Sequence, residues 1–140
     1  MKEARIYLGI LAAALVVSAV LAMNFSTQAA EFTKEDVERF TAEFMSVVKE
    51  GDKWFHSSKL GKNAVSCDQC HPNGANTHPE TYPKFQKQLG RVITLGEMVN
   101  WYLRNPLEGD HLALDDPKMV ALLAYMHWER RGVPLAPGKH

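Results

Sequence analysis

Apolar residues recur at helical spacing in the stretch of chain that follows residue 30. This stretch opens with Thr33-Lys-Glu-Asp36, a hydroxyl residue followed three positions later by an acid, which is a typical helix start. The next apolar residues lie three or four positions apart, as on one face of a helix. They are Val37, Phe40, Phe44, Val47 and Val48. Gly51 interrupts the pattern, and Trp54 and Phe55 are candidates to extend it.

Two shorter helices are predicted nearer the C-terminus. One covers Leu95 to Arg104 and ends before Pro106, because the residue before a proline disfavours the helical conformation. The other begins at Pro117, with Asp115 or Asp116 as its N-cap. The remaining segments are rich in Gly, Pro, Ser and Asn, and no strand is predicted. The pattern indicates an all-α domain of three main helices and long loops. Such loops cannot build a full hydrophobic core alone, so we expect a further group to fill the centre of the domain.

The N-terminus has the pattern of an export sequence. Lys2 and Arg5 precede an apolar run from Ile6 to Met23, and Thr27-Gln-Ala-Ala30 supplies small residues for a signal peptidase. Residues 1–30 are therefore expected to be a signal peptide or an N-terminal membrane anchor, an apolar helix ahead of a domain at 31–140. With either outcome the domain lies in the periplasm or another extracytoplasmic space. Membrane attachment, if present, runs through residues 6–23.

Charge adds little to this picture. The chain has 16 basic and 16 acidic residues, and without Lys2, Glu3 and Arg5 the balance is 14 to 15, a formal charge of −1. No basic run suggests nucleic acid or a lipid surface.

Cys67-Asp-Gln-Cys70-His71 matches the attachment pattern of a c-type haem. Two thiols three positions apart can reach the two vinyl groups on one edge of the porphyrin, and the next residue offers an imidazole to the iron. A disulfide, a dithiol redox pair and half of a zinc site are the alternatives. The redox pair lacks a βαβ context, and only His71 and His78 lie close enough to complete a zinc site. We expect one covalent haem c, and redox proteins are therefore the expected partners.

The chain resembles the small monohaem cytochromes c over roughly residues 46–131. Gly51-Asp-Lys-Trp-Phe55 is similar to the Gly-x-x-x-aromatic step of their N-terminal helix. Leu122 and Tyr125 resemble the pair on their C-terminal helix that packs across that glycine. A glycine at such a crossing lets two helix backbones approach closely.

The same resemblance implies further haem contacts. Tyr102-Leu-Arg-Asn-Pro106 is similar to the helix end that lies over the distal haem face in those cytochromes. Pro83 stands where they often place a proline whose carbonyl accepts a hydrogen bond from the proximal histidine, here His71.

A narrower resemblance concerns the haem domains of sulfur-oxidising cytochromes, including thiosulfate dehydrogenases. Asn100-Trp-Tyr102 and the segment from Asp116 to Tyr125 carry it. Those enzymes have a cysteine haem ligand where this chain has Tyr102, and the chain has no third cysteine. The resemblance therefore implies the fold rather than the activity.

The residue on the second face of the iron decides between electron transfer and ligand binding. His111 is the first choice, because it is the only imidazole or thioether in the loop before the last helix, where small cytochromes c place this ligand. Met98 is the second choice, since it lies one turn before Tyr102 and faces the same way. Met119, His78 and an open or Tyr102-bound iron are the remaining alternatives.

These observations favour an electron carrier over an enzyme. With both axial positions filled by the protein, the iron changes oxidation state with little rearrangement. The alternative is the haem subunit of an enzyme that oxidises a sulfur compound such as thiosulfate, or a ligand-binding haem protein, and it requires an open distal site.

Overall fold

The structure, a computed structural model, describes residues 31–137. The expected signal peptide or anchor, with the apolar helix ahead of the domain, lies outside these residues. Among the residues described, no helix is long and apolar enough to cross a membrane.

Three α-helices dominate the described part of the chain: α1 (Lys34–Phe55), α2 (Leu95–Arg104) and α3 (Pro117–Glu129). Four single turns of 3₁₀ helix lie between α1 and α2, at Ser58–Leu60, Cys67–Gln69, Pro72–Gly74 and Pro79–Thr81. They are followed by two short strands, β1 (Lys84–Gln86) and β2 (Arg91–Ile93), which pair antiparallel. The mostly helical fold with three main helices is thus confirmed, and the expectation of no strand is wrong.

Each α-helix begins at an N-cap residue that can be recognised in the sequence. The Thr33 hydroxyl accepts a hydrogen bond from the Asp36 backbone N–H at 3.1 Å. Thr94 and Glu97 form a complete capping box at the start of α2. Asp116, one of the two predicted caps, accepts from the Lys118 N–H at 2.8 Å at the start of α3. Local hydrogen bonding therefore fixes where the helices begin.

The chain divides into two compact units, one ending at Asp36 and the other beginning at Val37. The second unit contains a core shared by the three helices. Its buried residues are Val48, Phe55, Leu95, Leu122, Tyr125 and Met126. The first half of α1 contributes little to that core, since Val37 and Phe44 are 52% and 44% exposed.

The close approach of α1 to α3 is made at Gly51. The helix continues through this glycine without a break. A Cβ atom at position 51 would overlap the backbone carbonyl of Ala121 and lie 2.8 Å from the Cβ of Tyr125. The predicted glycine crossing is present, with Ala121 and Tyr125 on the opposing helix at the point of closest approach. Leu122 instead packs in the core beside them.

Replacing Gly51 with alanine is expected to lower the free energy of unfolding by about 1–3 kcal/mol, because the added methyl group overpacks the crossing. Chemical denaturation of both proteins measures this difference. Ser46→Ala, at an exposed position of the same helix, is the control and should change stability by less than about 0.5 kcal/mol. An alanine variant more stable than the wild type, as helix propensity alone would give, would contradict the close contact.

Candidate haem site

A cavity opens between the helices and the loops that precede β1. Much of its wall is apolar and comes from all three helices. The apolar lining residues are Phe55, Val65, Leu95, Met98, Val99, Leu103, Leu107, Leu122 and Met126. Cys67, Cys70 and His71 line the same cavity, together with Tyr102. The structure therefore brings the predicted attachment motif and three of the predicted distal candidates, Met98, Tyr102 and His78, to one place.

The attachment motif is held by a single helical turn. The backbone N–H groups of Cys70 and His71 both point to the Cys67 carbonyl, at 3.3 and 2.9 Å. Both cysteines are free thiols, so the disulfide alternative is not supported. Burial, with a smaller contribution from the nearby Asp68 carboxylate, raises the pKa of the Cys67 thiol to about 11. A protonated thiol is a poor metal ligand and a poor nucleophile for disulfide exchange. No group of three or more metal-binding side chains is present in residues 31–137.

The His71 ring is oriented by a neighbouring backbone carbonyl. Its Nδ1 lies 2.9 Å from the oxygen of Ala75. A carbonyl can only accept, so Nδ1 carries the proton and the lone pair of a neutral ring lies on Nε2. The imidazole in the cavity wall is thus in the tautomer that a haem iron requires from a proximal ligand.

In the structure the acceptor for His71 Nδ1 is the Ala75 carbonyl, whereas the resemblance implied the Pro83 carbonyl. Pro83 is exposed and is not part of the cavity wall. The chain after His71 folds back at once, since the N–H groups of Gly74 and Ala75 bond to the carbonyls of His71 and Pro72 at 3.0 Å each. This tight turn supplies an acceptor only four residues from the histidine.

Met98 and Tyr102 lie one turn apart on α2, and both line the cavity. The Met98 side chain is buried, with 4% exposed. The Tyr102 ring lies 5.9 Å from the His71 ring, centroid to centroid, at an angle of 85°. Among the α2 side chains that line the cavity, the two with an atom able to bind iron are therefore a thioether and a phenol, and the phenol lies beside the proximal histidine.

His111, the first choice for the distal ligand, lies outside the cavity. It is exposed and does not contribute to the cavity wall. The Asn100 side chain explains this placement, since its amide donates to the Leu112 carbonyl at 2.8 Å and accepts from the Leu112 N–H at 2.9 Å. These two bonds hold Leu112 toward the core and leave His111 on the solvent side. Met119 is fully buried and is also absent from the cavity wall.

An ion pair between the buried Glu80 carboxylate and the partly exposed Arg130 was not predicted. Arg130, at the end of α3, donates to both carboxylate oxygens of Glu80, from Nη2 at 2.8 Å and from Nε at 3.4 Å. This hydrogen bonding is the main cause that lowers the pKa of Glu80 to about 2. The Nδ1 atom of His78, which lines the cavity, lies 3.0 Å from the same carboxylate. Glu80 and Arg130 lie 50 positions apart in the chain, so no local sequence pattern predicts their contact.

These features place the protein among the c-type cytochromes. Comparison with known proteins gives the family: the chain belongs to the SoxA/TsdA cytochrome c domain family, whose model matches residues 50–135. A cytochrome c domain of this family implies a covalent c-type haem and electron transfer through it. The free thiols and the Nε2 lone pair of His71 fit that group.

Two curated relatives are similar to this chain. The thiosulfate dehydrogenase of Allochromatium vinosum is 34% identical over 52% of this chain and 32% of its own length. The thiosulfate dehydrogenase of Psychrobacter arcticus is 32% identical over 51% of this chain and 24% of its own length. The chain thus spans about a third or less of the relatives that it matches.

A solved structure supports the same fold. The crystal structure of SoxXA from P. pantotrophus superposes with a TM-score of 0.60 at 18% identity. The match covers 66% of this chain and 36% of that chain. At this identity the likeness concerns the fold alone.

Glu80→Gln is expected to lower the free energy of unfolding at neutral pH by about 1 kcal/mol, because Arg130 loses a charged partner and solvent screens part of that interaction. The carboxyl has a lower pKa in the folded state than in the unfolded chain, so its contribution is complete above the unfolded pKa and is lost as the pH falls toward 2. The difference between wild type and variant should therefore shrink between about pH 5 and pH 2. Denaturant titrations at several pH values measure it.

Glu43→Gln is the matched control, since Glu43 is exposed on α1. It should change stability little at any pH. An effect of Glu80→Gln that is the same at pH 7 and pH 2 would show that the ion pair is not its source.

Proposed function

We propose that this chain is an extracytoplasmic electron carrier with one covalent haem, attached through Cys67 and Cys70 and ligated by His71. The observation that carries the proposal is the composition of the cavity. A haem attachment motif shares it with a buried thioether on α2, so the protein supplies candidates for both axial positions. Haem bound there supplies a reversible one-electron couple. The apolar walls exclude water from it, and the Ala75 carbonyl holds the histidine ring in place.

Met98 is our proposed second axial ligand. It is buried in the cavity wall, whereas His111 is exposed outside it. A thioether also binds iron without losing a proton, whereas the phenol of Tyr102 would have to ionise. Tyr102 then serves as a lining residue beside the iron rather than as its ligand. Methionine ligation favours reduced iron more than a second imidazole does, so the reduction potential should be higher than the one His111 would give.

A second candidate function is favoured by the names of the relatives. Both relatives are thiosulfate dehydrogenases, which suggests that the haem belongs to an enzyme that oxidises sulfur compounds. Against this stands the cysteine count, since both cysteines of the chain lie in the attachment motif and none remains for a cysteine ligand of the kind expected in such enzymes. This function requires a distal site that substrate can reach, with Tyr102 beside it.

Optical spectra of the haem-loaded protein test the proposal. The oxidised wild type should be low-spin, with the long-wavelength charge-transfer band typical of methionine–iron ligation. Met98→Leu keeps the side-chain volume and should remove that band, turn the oxidised protein high-spin and allow carbon monoxide to bind after reduction. Met119→Leu, at a buried methionine outside the cavity, and His111→Ala should leave the spectrum unchanged.

The same spectra separate the alternatives. A change with His111→Ala and none with Met98→Leu would return the ligand to His111. If the wild-type protein is already high-spin and added thiosulfate reduces it, the electron-carrier function is wrong and the sulfur-oxidising enzyme is the better proposal.

The proposed extracytoplasmic location rests on the predicted export sequence at residues 1–30. Because Lys2 and Arg5 precede the apolar run, the holo-protein should be found on the outer side of the cytoplasmic membrane. Cell fractionation with haem staining measures this. The mass of the mature chain then shows whether residues 1–30 are removed or retained as an anchor through residues 6–23. Holo-protein found only in the cytosol would contradict the proposed location.

A further inference from the structure

One face of the segment from Tyr82 to Gln88 forms a polar part of the cavity wall. Side chains alternate across an extended chain, and the residues at every second position, Tyr82, Lys84, Gln86 and Gln88, all line the cavity. Phe85, between two of them, is 50% exposed on the other side. This part of the wall, called the polar wall below, therefore offers a phenol, an ammonium and two amides to whatever the cavity encloses.

Lys84 brings a positive charge into the polar wall without an acidic partner. Among the described residues that line the cavity there is no Asp or Glu, and Lys84 is the single Lys or Arg. Its ammonium takes part in no ion pair in the described part of the chain and lies 4.7 Å from the centre of the Tyr82 ring. Arg91, which pairs with Gln86 in the strand register, is instead held by Glu97 at 2.7 Å. A cation in the wall of a largely apolar cavity is unfavourable unless the group that fills the cavity supplies the opposite charge.

The polar wall also has a hydrogen-bond donor to spare. Gln86 Nε2 donates to the Tyr82 hydroxyl oxygen at 2.8 Å, and no acceptor among the described residues takes the phenol proton. Burial raises the pKa of Tyr82, so the phenol keeps this proton at neutral pH. By contrast, the hydroxyl of Thr77, which also lines the cavity, already donates to the Gly74 carbonyl at 2.7 Å. A phenol donor and the ammonium of Lys84 thus stand side by side.

We propose that the polar wall binds the propionate groups of the haem and that Lys84 supplies their counter-charge. Haem c carries two carboxylates on the edge opposite its thioether bonds. With one edge fixed at Cys67 and Cys70, the carboxylate edge lies away from the attachment motif and needs cations and donors of its own. The ammonium of Lys84 and the phenol of Tyr82 can bind a carboxylate through charge-assisted hydrogen bonds. The inference rests on the covalent haem of the function proposed above.

The charge of Lys84 also affects the iron. Ferric haem carries one more positive charge than ferrous haem, so a cation in the cavity wall disfavours oxidation. Lys84 therefore raises the reduction potential, whichever residue ligates the distal face.

Zero-length crosslinking of the holo-protein tests the contact directly. A water-soluble carbodiimide activates a propionate, and an amine in contact with it forms an amide; the water lost is taken up as the carbodiimide becomes a urea. After proteolysis, mass spectrometry should find the haem peptide with Cys67 and Cys70 joined to the peptide with Lys84. Lys84→Arg keeps the charge without a reactive amine and should lose this product. Lys87→Met, at an exposed position of the same hairpin outside the cavity wall, should keep it.

Potentiometric titration of the same variants measures the effect of the charge. Lys84→Met should lower the equilibrium constant for haem reduction about tenfold, which is a fall of about 59 mV for a one-electron couple. Lys84→Arg should keep the wild-type potential. Lys87→Met should change the constant by less than about twofold, because solvent screens that charge. If Lys84→Met does not fold or take up haem, the crosslink in the wild type still decides the proposal.

The outcomes separate this proposal from the electron-carrier function. A holo-protein that forms no crosslink through Lys84, and whose potential does not change in Lys84→Met, would overturn the propionate site and leave the carrier intact. A wild-type potential that shifts with added thiosulfate at constant ionic strength, and no longer shifts in Lys84→Met, would also contradict it, because Lys84 would then face a site for a free anion. If acid–acetone extraction releases the haem from the polypeptide, the covalent attachment itself is wrong.

Discussion

The contact of α1 with α3 at Gly51 is the constraint on which the rest of the domain depends. It brings the helix backbones close enough for Ala121 and Tyr125 to lie against the glycine. Phe55, one turn further along α1, then packs against Tyr125, with ring centroids 5.1 Å apart. Phe55, Leu122 and Met126 also line the haem cavity. The floor of the site is thus a direct continuation of the helix crossing, and a change in the crossing would alter the shape of the cavity.

The helices could be predicted because their signals are local. A hydroxyl or carboxylate cap, a proline at the first helical position and an apolar period are each visible within a few residues, and α2 begins and ends where the sequence predicts. The hairpin was missed because each strand has only three residues and its cavity face is polar, with Lys84 and Gln86. Without alternating apolar residues there is no signature of a half-buried strand.

The expectations about the site that differ from the geometry of the structure depend on contacts between distant or irregular segments. His111 stands in the expected loop, but the loop's orientation depends on the side-chain amide of Asn100, and sequence position does not reveal it. The carbonyl beside His71 belongs to Ala75 because of a tight turn, and the resemblance pointed to Pro83. The attachment motif itself needs no such contact, since its spacing alone specifies the chemistry.

Alternation along β1 separates two structural roles within three consecutive residues. Substitutions at Lys84 and Gln86 alter the wall of the cavity, and so the environment of whatever it encloses. A substitution at Phe85 alters only the outer surface. A side chain on the exterior of the hairpin can therefore be exchanged without altering the cavity, although its neighbours on both sides cannot.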